Sequence, residues 1–161
     1  MFLKNILFFL IMKIVFYQNY THALKQTLSP FFYHKKQFNY GTNHRFLYKK
    51  QFNYINYVQD HHCIPKQHKN HILLKKINYD IHNYDNIVIM PNKKGIKQLN
   101  LHPDTLVHDG GHRNFNNYVK EQLDFIYDTY YDMDSYRYQF WLLLHHIKKN
   151  MKFNEDKLPW K

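Results

Sequence analysis

Tyr57-Val58-Gln59-Asp60-His61-His62-Cys63-Ile64-Pro65 reads as a short strand that starts through Tyr57-Val58, carries two adjacent imidazoles near its end and is stopped by proline. Two neighbouring histidines in that position can offer one ring to a metal and the other to water. A Lys- and His-rich loop follows to about Asp80. Downstream, the apolar run Ile87-Val88-Ile89-Met90, closed by Pro91, predicts a second strand of the buried kind.

A loop containing Gly95 and Pro103 then leads to His108-Asp109-Gly110-Gly111-His112. Histidines four apart share one face where the backbone is helical, which lets two imidazoles hold one metal. Beyond the glycines, Phe115, Tyr118, Val119, Gln122, Leu123 and Ile126 recur at the spacing of an amphipathic helix. A last helix is expected from Ser135 to about Lys149, with Tyr136, Phe140, Leu143, Leu144 and Ile147 as its packing face and Lys148-Lys149 near its end. It reads as support. Of the thirteen histidines, His34, His44, His68, His71, His82, His102, His145 and His146 read as surface or core residues.

Taken together, the strand ending His61-His62-Cys63-Ile64-Pro65, the strand Asn86-Ile87-Val88-Ile89-Met90-Pro91, and the segment His108-Asp109-Gly110-Gly111-His112 leading to Asn117-Tyr118-Val119 resemble the His-Asn-His (HNH) and endonuclease VII superfamily. Within it they look most like the branch named for an Ala-His-His (AHH) motif. The resemblance covers roughly residues 56 to 125. It implies an α+β fold with a ββα-metal (His-Me finger) core, C-terminal helices and a basic, aromatic N-terminal extension.

It also implies roles. His62 becomes the general base, and His61, His108 and His112 hold a divalent metal ion. Asn86 holds the loop that orients His62, or approaches the metal instead. Two departures stand out: Asp60 where the branch has alanine, and Ile87 where a glycine is common after the asparagine. Asp60 can supply a carboxylate to the metal or raise the pKa of a neighbouring imidazole. In a shifted register Asp60 becomes a ligand and His61 the base, although the position of Pro65 favours His62.

The implied activity is metal-dependent endonucleolytic hydrolysis of phosphodiester bonds, in DNA before RNA, leaving a 5′-phosphate and a 3′-hydroxyl. A His62 near its ordinary pKa of about 6.5 takes a proton from water at neutral pH. Imidazole ligands admit Mg, Mn, Zn or Ni, so the donor set alone does not choose the cation. Lys66, Lys69, Lys75, Lys76, Lys93, Lys94 and Arg113 flank the site in sequence and are candidates for contact with the nucleic-acid backbone. The alternative is a non-catalytic, basic protein that binds nucleic acid or a membrane surface and keeps its histidines for a structural metal.

Composition fits both readings. At 161 residues the chain is long enough for one cored domain and short for two. Its net charge is +11, from 23 Lys and Arg against 12 Asp and Glu, and no acidic residue precedes Asp60. Such an excess favours polyanions. Fifteen Tyr and thirteen Phe among Lys and Asn are ingredients for stacking on unpaired bases, and a nucleotide-composition bias generates the same mixture. Cys63, the only cysteine, excludes an intramolecular disulfide and a cysteine-based zinc cage.

The chain is expected to divide into an apolar segment (1–23), a basic aromatic arm or linker (24–55), the nuclease-like core (56–125) and helical support (126–161). Within it the apolar run from Phe2 to Tyr17 is too short and too broken by Lys13 for a standard spanning helix. Lys4, the stretch Ile6 to Met12 and Thr21-His22-Ala23 suit a signal peptide, which implies secretion or membrane tethering. A buried or interfacial N-terminal helix is the other reading, and it leaves the protein inside the cell. The arm shows no sustained helical period. It contains a repeat, Lys35-Lys36-Gln37-Phe38-Asn39-Tyr40 and Lys49-Lys50-Gln51-Phe52-Asn53-Tyr54, fourteen residues apart, read either as paired nucleic-acid contacts or as a duplication in a biased sequence.

Overall fold

A computed structural model describes residues 36–160 apart from Glu155. The apolar segment 1–23 and the first part of the arm therefore lie outside the described residues. Within them no helix is long and apolar enough to cross a membrane.

The two strands form as the sequence predicts. Strand β1 (Val58–His62) pairs antiparallel with β2 (Ile87–Pro91), in a register that sets His61 opposite Val88 and His62 opposite Ile87. Side chains alternate between the faces of a strand, so adjacent histidines are sent to opposite sides of this small sheet. The apolar run of β2 is less buried than expected. Met90 is fully enclosed but Ile89 is 39 % exposed, because a two-stranded sheet covered mainly on one side leaves the other face near solvent.

The core lies against the long helices. Helix α4 (Arg113–Thr129) presents Phe115, Val119, Leu123 and Ile126, all buried. Helix α5 (Met133–Phe153) presents Tyr136, Phe140, Leu143, Leu144, Ile147 and Met151, and it exceeds the expected span at both ends. Asp132 starts α5 by accepting from the Ser135 N–H at 2.8 Å, and Asn154 ends it in the left-handed conformation at φ 53°. Cys63, Ile64, Leu73, Leu74 and Met90 complete the cluster. Each large aliphatic or aromatic side chain so enclosed contributes on the order of 2 kcal/mol.

Three short helices replace expected coil. Helix α1 (Asn43–Gln51) lies inside the arm, and Arg45 is its only buried residue. It has no apolar stripe, since Phe46 and Leu47 are about half exposed, and charge anchors it instead. Helix α2 (Ile72–Lys76) interrupts the Lys- and His-rich loop; it buries Leu73 and Leu74 and is capped by His71, whose ring accepts from the Leu73 N–H. Helix α3 (Lys93–Gln98) contains Gly95. A β-carbon there would sit 2.1 Å from the Tyr57 carbonyl oxygen, so only glycine lets α3 approach the start of β1.

Candidate active site

His61 leaves β1 on the side that faces α4. His108 comes from the loop before that helix, where its backbone N–H donates to the Pro91 carbonyl at 2.9 Å and ties the loop to the end of β2. His112 is the N-cap residue of α4. The segment 108–112 is not helical, which corrects the one-face geometry expected from its spacing. Gly110, at φ 134°, permits the turn that returns His112 toward His108.

The three rings converge, with centroid separations of 5.0 Å (His61 to His108) and 5.4 Å from His112 to each of the others. One ring nitrogen from each lies within 4.8 Å of the other two, so the three can hold a metal ion. His61 Nδ1 is buried and makes no hydrogen bond within the protein, as befits a nitrogen available to a cation. Burial, reinforced by the neighbouring imidazoles of His108 and His112, pushes the His61 pKa down to about 3. Neutral imidazole is the form that ligates.

His62 points to the other side. Its Nε2 is 3.2 Å from Nδ1 of His82, and the Tyr40 ring packs on it with centroids 4.4 Å apart. Burial, and then the electrostatic influence of the neighbouring His82 and Lys66, lower its pKa to about 4, well below the ordinary value assumed from sequence. His62 is therefore neutral throughout the physiological range, and a weaker base than a solvated imidazole. It lines a cleft of about 280 Å³ with Tyr40, Gln59, Asp60, His61, Pro65, Lys66 and His108.

Behind the cleft, Asn86 is fully buried. Its Oδ1 accepts from the Ile64 N–H at 2.7 Å, and its Nδ2 donates to the Ile64 and Ile81 carbonyls at 3.0 and 2.8 Å. Its own carbonyl accepts from Cys63 N–H at 2.7 Å. Asn86 thus holds the backbone that follows His62, with both its Oδ1 and its Nδ2 bonded to main-chain groups.

The family described as AHH, a nuclease family of the HNH/ENDO VII superfamily with conserved AHH, matches residues 43–151. This chain belongs to the AHH nuclease family. No curated protein and no solved structure matches it. Membership makes the chain a nuclease of the HNH/ENDO VII superfamily and nucleic acid its class of substrate, and the two strands with their following helix fit a ββα-metal core.

In this AHH nuclease the alanine of the motif is Asp60, and its carboxylate has partners. Oδ1 accepts from Arg45 Nη2 at 2.8 Å and Oδ2 from Lys49 Nζ at 3.0 Å, both from α1. Arg45 also donates to the Phe38 carbonyl at 3.1 Å. Despite desolvation, these two cations hold the Asp60 pKa below the usual carboxylate range. Asp60 lies on the face opposite His61 and outside the three-histidine group.

The basic residues that flank the site in sequence are scattered in space. Lys66 lines the His62 cleft, and Lys93 and Lys94 line an adjoining depression of about 330 Å³ that shares His108. Arg113 is exposed immediately after His112, while Lys69 and Lys75 are exposed on and before α2. Lys76 turns elsewhere, lying over the Tyr127 and Tyr136 rings with its Nζ 3.4 Å from the Tyr136 hydroxyl.

Three residues of the site carry no local signal in the sequence. His82 and Tyr40 enclose His62, and Trp160 packs on His112 at 4.0 Å and on His61 at 5.2 Å while its indole N–H donates to the Val107 carbonyl. Tyr40 and Trp160 lie outside the stretch that the family matches, one on either side of the site.

Proposed function

We propose that the protein is a metal-dependent endonuclease that hydrolyses phosphodiester bonds, DNA before RNA, with His62 as general base and His61, His108 and His112 as ligands of a divalent cation. The observation that carries this reading is the division of labour between adjacent residues. His61 joins a group of three imidazoles, and His62 stands in the neighbouring cleft with Lys66. Among the described residues the group has three donors, the number that a catalytic site keeps while leaving a position open; a structural zinc closes with four.

His62 takes a proton from water as the oxygen attacks phosphorus. His61, His108 and His112 would hold the cation, which would neutralise charge developing on the phosphate and the departing sugar oxygen. Asn86 keeps the 62–64 backbone fixed so that the base does not drift, and Lys66 offers charge to the substrate backbone at the cleft rim. In this division residues 56–125 form the nuclease core and 126–161 support it, while the arm braces β1 through α1.

The test is cleavage of supercoiled plasmid and of a structured RNA by the full chain with Mg, Mn, Ni or Zn, with chelator, and with His62→Ala in parallel. Metal-dependent cutting that the substitution abolishes is expected. Folded protein that cuts neither substrate with any of the four cations would overturn the reading in favour of a binding protein with a structural metal.

A further inference from the structure

His82 lies twenty residues beyond His62 and outside the three segments that mark the superfamily, yet the two rings meet. They cross at 74° with centroids 5.3 Å apart. His82 is itself fixed from several sides. Its backbone N–H donates to Asp80 Oδ1 at 2.9 Å, and its carbonyl accepts from the Tyr40 N–H at 2.9 Å. The Tyr40 ring stacks on it at 26°, and Asn86 grips the carbonyl of the preceding Ile81. Asn39 adds a further tie, its Oδ1 accepting from the Tyr84 N–H at 3.0 Å. The first copy of the basic-aromatic repeat is thus used to build the pocket around the base.

We propose that His82 is the positioning residue of His62: it accepts the His62 Nε2–H and leaves the lone pair of His62 on Nδ1, the nitrogen available to water. The proposal rests on His62 being the base. A neutral imidazole carries one proton, so each of its nitrogens is either donor or acceptor. Were His82 the donor, the other nitrogen of His62 would hold the proton and could take none from water. With His82 as acceptor, the water O–H bond breaks, an Nδ1–H bond forms, and the water oxygen bonds to phosphorus as the bond from phosphorus to the sugar 3′ oxygen breaks, that oxygen taking its proton from solvent. His82 exchanges no proton. It then accepts from an imidazolium, a stronger hydrogen bond than the neutral one it replaces, so the contact strengthens as the reaction advances.

The test uses the full chain with His82→Phe, which keeps a planar ring against Tyr40 and removes the acceptor, and His82→Asn, which returns one. His82→Phe is expected to lower kcat on plasmid about 10- to 100-fold, the range typical for loss of a hydrogen-bond partner that orients a site histidine, with KM unchanged. His82→Asn should recover most of it. Independently of activity, ¹⁵N imidazole spectra should show His62 protonated at Nε2 in the native chain and as a mixture of tautomers in His82→Phe.

A His82→Phe enzyme with native kcat, an Asn variant no better than Phe at native melting temperature, or His62 protonated at Nδ1 would each overturn the proposal. Failure of the base assignment looks different. His62→Ala would then cut as fast as the native chain, or the native chain would cut nothing, and the tautomer spectra alone would decide whether His82 fixes His62.

Discussion

On β1 the ring of His61 meets His108, His112, Phe115 and Trp160, whereas the ring of His62 meets Tyr40 and His82, with Asp60, Arg45 and Lys66 close by. Both residues are 9 % exposed, so burial does not distinguish them. Their neighbours do. The His61 face is a cage of rings held by apolar packing, while the His62 face is held by directed hydrogen bonds and two ion pairs. One strand therefore presents two different surroundings because its side chains alternate, and the proposed division of tasks between them can be tested one face at a time.

The largest expected effect separates the two tasks. His62→Ala should lower the cleavage rate by about 10²- to 10⁴-fold, the usual contribution of a general base, while leaving metal affinity by calorimetry intact. His112→Ala should abolish metal binding and cleavage together. If His62→Ala also lost the metal, the division between the faces would be wrong.

Next comes the wall beside His61 and His112. Trp160→Ala opens a hole beside His112 and His61 and should cost about 3 kcal/mol in denaturant unfolding, with weaker metal binding. A loss confined to stability would show that Trp160 packs the core without shaping the ligands.

On the His62 face, Asp60→Ala restores the alanine of the family motif but strands Arg45, which is 8 % exposed, and Lys49. It should destabilise by roughly 2–3 kcal/mol, since an uncompensated buried charge costs more than the pair gains. Adding Arg45→Leu should recover part of that loss. A double variant less stable than Asp60→Ala would show that Arg45 is needed for its bond to the Phe38 carbonyl more than for its charge.

The smallest effect concerns pH. His68 is buried near the start of α4, with its Nε2 3.0 Å from the Asn116 carbonyl, and burial lowers its pKa despite that bond. Its contribution to stability is complete above the unfolded value of about 6.5 and is lost as pH falls below it, because the unfolded chain then binds more protons. Thermal melting of metal-free protein should drop below that pH, and less steeply in His68→Gln. An unchanged slope in the variant would assign the acid sensitivity to the site histidines.

The order of the motif was legible in the chain. Strands at His61-His62 and Ile87–Pro91, the helix after His112 and the long C-terminal helix all formed close to where pattern placed them. Helix α1 was not legible, because its single buried residue is an arginine and a periodicity search looks for apolar faces. The role of His82 was hidden for a related reason. Twenty residues of intervening chain carry no local signal that two imidazoles will meet.

By itself the sequence determined the strand-strand-helix core and the charge, because periodicity and residue order are local properties of a chain, and its resemblance to the family made His61, His62, Asn86, His108 and His112 candidates. Only the tertiary structure decided that Asp60 turns to Arg45 and Lys49 and away from the three histidines, that Asn86 spends its amide on the backbone, and that Tyr40, His82 and Trp160 wall the site. Those are long-range pairings, fixed when packing chooses which distant side chains become neighbours.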